Sequence, residues 1–222
     1  MDSKIGSDVK NEPFRPSKKL EIPGKVEAVI ELVVTREDGT VRERRVMKSE
    51  SFVRQFLDLL IVQMENIPFL QPLDICDTGN IIRQVAFGKT TLAANAPTGD
   101  ATFGIVSGTG NTTPTITDYA LQTQIAHGNG AGQLQYGNVA FGLPASDDTT
   151  SSFTITRNFA NASGNPITVN EIGLYVKAQE GRYDSGSRQT RYFMTIRDVL
   201  VGGIAVPNGE TLTVNYRFQC VV

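Results

Sequence analysis

Residues 211–220 read TLTVNYRFQC, with Leu212, Val214, Tyr216, Phe218 and Cys220 at one parity and Thr211, Thr213, Asn215, Arg217 and Gln219 at the other. Successive side chains of an extended chain point to opposite faces, so this is a strand with one apolar and one polar side. Such a strand belongs to an antiparallel sheet that covers a core with one face and meets water with the other. The pattern recurs upstream. Phe153, Ile155 and Phe159 oppose Thr154, Thr156 and Asn158, and Ile172, Leu174 and Val176 oppose Glu171, Gly173 and Tyr175. Strands are expected near 81–87, 101–107, 134–141, 151–160, 169–178, 190–199 and 210–220, divided by Gly, Asn, Pro and Ser clusters. The expected fold class is mainly β: an antiparallel β-sandwich or jelly-roll-like body over residues 76–222. Cys220, at an apolar position of its strand, reads as a small buried thiol.

Ahead of this body, Val26, Ala28, Ile30, Leu32 and Val34 alternate up to an Asp38-Gly39 turn, and a second strand follows at 41–47, which makes a β-hairpin. SFVRQFLDLLIVQM then reads as a helix capped by Ser49 or Ser51. Its apolar residues at 52, 56, 59 and 60 form a stripe that 53, 57, 61 and 64 widen, which suggests contacts on more than one side. Residues 25–75 are thus expected as a hairpin-plus-helix element packed on the body. Residues 1–24, with prolines at 13, 16 and 23 and no usable periodicity, are expected as an extended N-terminal arm. Phe14, Arg15, Leu20 and Ile22 are its candidate contacts with a neighbouring subunit.

The chain of 222 residues carries 21 basic and 23 acidic side chains, and no half of it concentrates positive charge in the way that grips phosphates. Sequence-specific nucleic-acid binding is not expected. The two cysteines, Cys76 and Cys220, form no disulfide framework and no zinc motif. No stretch approaches a membrane helix in length, and the opening MDSKIGSDVK lacks the apolar run of a signal peptide, so synthesis in the cytoplasm is expected.

Chemical motifs are incomplete. Gly88-Lys89-Thr90 lacks the upstream glycine of a phosphate-cradling loop, Arg83 standing there instead, and Gly108/Gly110 lack the third glycine of a dinucleotide fingerprint. His127 is the sole histidine, with no serine elbow beside it, and Asp147, Asp148 and Asp184 form no calcium-ligand ladder. No catalytic, cofactor-binding or metal-ligating set is expected. Gly108 and Gly110 are read as allowing a sharp turn, with Thr117 or Asp118 capping a short helical turn that lets Tyr119 and Leu121 pin the loop to the sheet. The polar loop 180–189 carries Arg182, Tyr183 and Arg188 as candidate contacts with a neighbour or receptor.

An ordered series of segments runs through the second half: GTGNTTPTITDYAL (108–121), FTITRNFANASG (153–164), ITVNEIGLY (167–175), RDVL (197–200) and VPNGETLTVNYRF (206–218). Taken together they resemble virion structural proteins of tailed bacteriophages. The resemblance implies a non-enzymatic particle component of the head, neck or tail, located in the virion. It implies a symmetric homo-oligomer, a trimer or hexamer, in contact with other virion proteins, and it carries over no catalytic residue and no cofactor. The alternative is a host-surface or carbohydrate-binding module of a phage adhesion device, reached through loop 180–189.

Overall fold

The structure, a computed structural model, describes residues 25–49, 52–65, 68, 71–86, 92–180 and 189–222. Among these the chain forms β1 (Lys25–Thr35), β2 (Val41–Ser49), α1 (Arg54–Met64), β3 (Leu73–Cys76), β4 (Ile82–Val85), β5 (Gly104–Gly108), β6 (Gln135–Phe141), β7 (Ala145–Ser146), β8 (Thr150–Ala160), β9 (Ile167–Glu180), β10 (Gln189–Val206) and β11 (Thr211–Val221). Two antiparallel sheets result. One has the order β2-β1-β11-β8-β6, with β7 also on β8; the other has β10-β9-β4-β3, with β5 also on β9.

The stretch that announced the fold is central. β11 lies between β1 and β8, in register from Lys25 opposite Val221 to Thr35 opposite Thr211, and from Val221 opposite Thr150 to Thr211 opposite Ala160. Its polar parity forms a ladder on the outer face: Thr156 donates to Asn215, Asn215 donates to Glu31, and Arg44 donates to Glu31. Such cross-strand pairs hold a sheet in one register. Its apolar parity meets the second sheet. Ile30, Leu32, Val34, Leu212, Val214, Ile155 and Phe159 are buried on one side, and Ile172, Leu174 and Val176 on the other. The Tyr216 hydroxyl donates across this core to Asp198, 2.8 Å away. The body is therefore a sandwich, as its alternation requires.

β9 and β10 differ from the other strands. Residues 171–176 and 193–198 are buried on both faces, because α1 and the segment 109–126 cover the outer side of the second sheet. β10 also runs past the expected limit at 199 to Val206. It does so through a register shift in which Gly202 and Gly203 take φ of 77° and 61°, a left-handed conformation that favours glycine.

The helix starts later than expected and without the expected cap. Ser49 ends β2 and is buried, Ser51 lies outside the described residues, and Val53 occupies the N-cap position with no side-chain bond. The sheet and the neighbouring loop do the capping instead: the amide of Val53 donates to the Thr195 carbonyl at 3.1 Å and that of Arg54 to Ile116 at 3.0 Å. Gln55, Leu59 and Val62 face inward, while Leu57 (65% exposed), Ile61 and Met64 (77% exposed) form an open apolar face.

Cys220 corrects a second expectation: its thiol is exposed. Its parity is the apolar one, but the cover thins toward this end of the strand, where Phe218 is only partly buried and Cys220 is open.

Candidate functional site

Two features are candidates for function, a ring of amides in the glycine loop and an open end of the sandwich. The loop 108–124 folds over the outer face of β9 and β10. Glu171, fully buried, aims its carboxylate into it. Oε1 accepts the amides of Gly110 at 3.0 Å and Thr123 at 2.8 Å, and Oε2 accepts the Gln122 amide at 3.1 Å and Arg197 Nε at 2.9 Å. Arg197 then donates through Nη1 to Asp118 at 2.6 Å and through Nη2 to the Thr112 carbonyl and hydroxyl. A concave set of backbone N–H groups is the usual way to cradle an anion. Here the anion is the chain's own carboxylate.

This geometry changes the role of the two glycines. Neither Gly108 nor Gly110 has a left-handed φ; what they supply is clearance. A Cβ on Gly108 would come 2.6 Å from the Thr123 carbonyl oxygen, and one on Gly110 would come 2.4 Å from Gln122 Cβ. The expected helical turn at Thr117 or Asp118 does not form. Asp118 closes a β-turn, its amide donating to Thr115 O at 3.1 Å while its carboxylate accepts the Thr115 amide and hydroxyl. Leu121 is buried, Tyr119 is only half-buried, and the Leu121 amide donates to the Tyr175 hydroxyl at 2.6 Å.

The charges of this cluster support one another. Burial alone would raise the Asp118 carboxyl, but the Thr115 amide and hydroxyl and the Arg197 guanidinium outweigh it and hold the group below its ordinary range. Burial alone would weaken the Arg197 cation, and the two carboxylates reverse that. Burial pushes the Tyr175 hydroxyl well above its ordinary value.

Residues scattered through the quoted motifs meet in this cluster: Gly110 and Asp118 from the first, Glu171 and Tyr175 from the third, Arg197 from the fourth. The other two motifs meet elsewhere. The buried Asn161 side chain donates to the Val206 carbonyl at 2.7 Å, and its backbone bonds with Gly209 and Glu210.

Arg157 was missed in the sequence. It stands at the apolar parity of β8, between Ile155 and Phe159, and is fully buried. Its guanidinium donates to the carbonyls of Gly137, Phe103, Ile105, Pro97 and Asp100 and lies over the Tyr136 ring at 4.8 Å. Five carbonyl dipoles replace water around the cation and tie β5 and its preceding loop to the first sheet. Burial lowers its pKa to about 10, still cationic at neutral pH. The signal was a charge in phase with apolar neighbours.

The open end is apolar. There a groove of about 380 Å³ lies between the sheets, lined by Val26, Phe141, Phe153, Phe218 and Cys220 of one, Val176 of the other and Phe56 of α1. Val26 is 66% exposed, and the Phe153 and Phe218 rings stack with centroids 5.2 Å apart. No charged side chain among the described residues lines it.

The residues singled out as candidate contacts, Phe14, Arg15, Leu20, Ile22, Arg182, Tyr183 and Arg188, lie outside the described residues, as do Gly88-Lys89-Thr90 and Asp184. His127 is exposed and uses Nδ1 to accept the Tyr136 amide at 3.0 Å. Asp147 closes a turn by accepting the amides of Thr149 and Thr150. Among the described residues no group of His, Cys, Asp and Glu gathers as a metal site, and no helix is long and apolar enough to cross a membrane. Set against protein-family models, curated proteins and solved structures, the chain has no match.

Proposed function

We propose that this protein is a non-enzymatic structural component of a tailed-phage virion, a capsid decoration or a neck or tail component that forms symmetric contacts with copies of itself and with other particle proteins. The observation that carries the assembly part is the uncovered apolar end of the sandwich. Single exposed apolar residues are ordinary on a monomer, whereas contiguous ones rimmed by polar surface mark an interface. The open face of α1, with Leu57, Ile61 and Met64, adds a second such surface. The placement in a virion rests on the ordered motifs. Their convergence on shared bonding clusters supports treating them as one structural signature, since loss of any member leaves buried partners unmatched. Light scattering on the purified chain, together with its copy number in purified particles, tests the reading. An oligomer of fixed size and a fixed copy number are expected; a monomer that is absent from particles refutes it.

A further inference from the structure

α1 carries an apolar stripe with charges placed at its two ends. Leu57, Ile61 and Met64 stand at i, i+4 and i+7, one face of a helix, and all three are exposed. The opposite face, with Gln55, Leu59 and Val62, is buried where α1 packs on β10 and β3. Arg54 opens the helix and Glu65 closes it, about three turns later at ~3.6 residues per turn, so both lie on the same flank of the stripe. Each stands at the wrong end for its own helix dipole: the first turn holds no acidic residue and the last turn no basic one. Arg54 donates through Nε to Asp58 at 3.1 Å, which leaves its Nη groups without a partner among the described residues. The Glu65 carboxylate has no partner there at all.

We propose that α1 pairs antiparallel with α1 of a second copy of this chain, about a two-fold axis beside Leu60 and Ile61. In such a pair Leu57 packs on the partner's Met64, and the reverse, so the stripe covers itself. The same flank of both helices meets across the axis. At ~1.5 Å per residue, Arg54 then lies within about 3 Å, along the helix, of the partner's Glu65. Each Arg54 bridges Asp58 of its own chain and the partner's Glu65, and each misplaced charge gains a helix end of the sign it lacks at home. A parallel pair would instead align the two dipoles and bring like ends together. This rests on the homo-oligomer reading above and names one contact that builds it. A two-fold contact fits a hexamer assembled from dimers and does not fit a trimer with only a three-fold axis. The helix of 11 residues is only about 16 Å long, so the pair serves as one interface among others.

The test uses full-length protein carrying Cys76→Ser and Cys220→Ser, to which Leu57→Cys and Met64→Cys are added singly and together. The two positions are about 10 Å apart along one helix and cannot bond to each other within a chain. The variants are checked for folding by circular dichroism and oxidised, the links are mapped by peptide mass spectrometry, and mass is measured in parallel by light scattering. A disulfide between position 57 of one chain and position 64 of another, formed by the double variant and by neither single variant, supports the proposal. Arg54→Glu or Glu65→Arg is expected to lower the linked fraction about tenfold, and the two together to restore it. Links of 57 to 57 or 64 to 64 overturn the antiparallel pairing, and failure of the double reversal to restore linkage overturns the role of the charges. An oligomer that forms no link overturns this contact while the oligomer reading stands. A monomer that forms no link removes both. Ile61→Cys, beside the axis, links to its own copy and takes the place of the pair if the double variant does not fold.

Discussion

Replacing Glu171 with glutamine keeps the shape of the side chain and removes one acceptor oxygen. The carboxylate serves four donors, two on each oxygen: Gly110 and Thr123 on Oε1, Gln122 and Arg197 on Oε2. An amide has one acceptor oxygen and an NH₂, so either orientation of glutamine turns its donors toward two buried donors. Each buried group left unmatched costs about 1–3 kcal/mol, and Glu171→Gln is therefore expected to lose about 2–6 kcal/mol. That is a large share of the ~5–15 kcal/mol that keeps a domain folded. For a chain of this size each kcal/mol moves the midpoint by about 2–4 °C, so a fall of roughly 4–24 °C is expected. Guanidinium and thermal unfolding followed by far-ultraviolet circular dichroism measure both quantities. Glu37→Gln, on the surface, is the control and should stay within about 0.5 kcal/mol. A loss below about 1 kcal/mol for Glu171→Gln, at an unchanged denaturant slope, would refute the view that this carboxylate is the anion the loop was built around.

Other changes test the same structure from different sides. Gly110→Ala places a Cβ against Gln122 and Glu171 and should cost about 1–3 kcal/mol in unfolding free energy; a neutral result would show that clearance is not what the glycine supplies. Arg157→Lys leaves three donors for five carbonyls, so about two stay unmatched and the loss should be about 2–6 kcal/mol by denaturant titration, with a change under about 1 kcal/mol counting against the clamp. Asp118 has its folded pKa held down, so its contribution is present above the unfolded value of about 3.9 and is lost as pH falls through the folded value. The stability gap between the natural chain and Asp118→Asn should accordingly be full at pH 6 and shrink below about pH 4; a gap independent of pH would assign the loss to shape instead of charge.

How much of this was legible follows from what strand parity encodes. Parity states which way a side chain points, and for Leu212, Val214 and Tyr216 that sufficed, because the second sheet stands opposite them. Arg157 pointed inward by the same rule. Its charge hides that position from a reading by composition, and only the five carbonyls that gather around it make its burial tolerable. Glu171 was placed correctly on the polar parity of β9, yet that parity faces a covering loop and helix instead of water. Sequence periodicity has no term for a second cover on the outer face. The helix start was misplaced for a related reason: its orphan amides are met by Thr195 and Ile116, far away in sequence, where a local reading expects a serine.

Cys220 supplies the last step, because there the rule for direction held and the inference of burial failed. Burial needs an opposing surface as well as an inward direction, and at Val26, Phe153, Phe218 and Cys220 that cover is incomplete. An alternating strand that continues past its cover is uneconomical for a solitary chain, since each further apolar residue adds exposed surface and nothing to the core. The same residues gain their burial if another chain segment completes the layer. Completion of the layer by another chain is what the assembly proposed above requires of Val26, Phe153, Phe218 and the exposed Cys220.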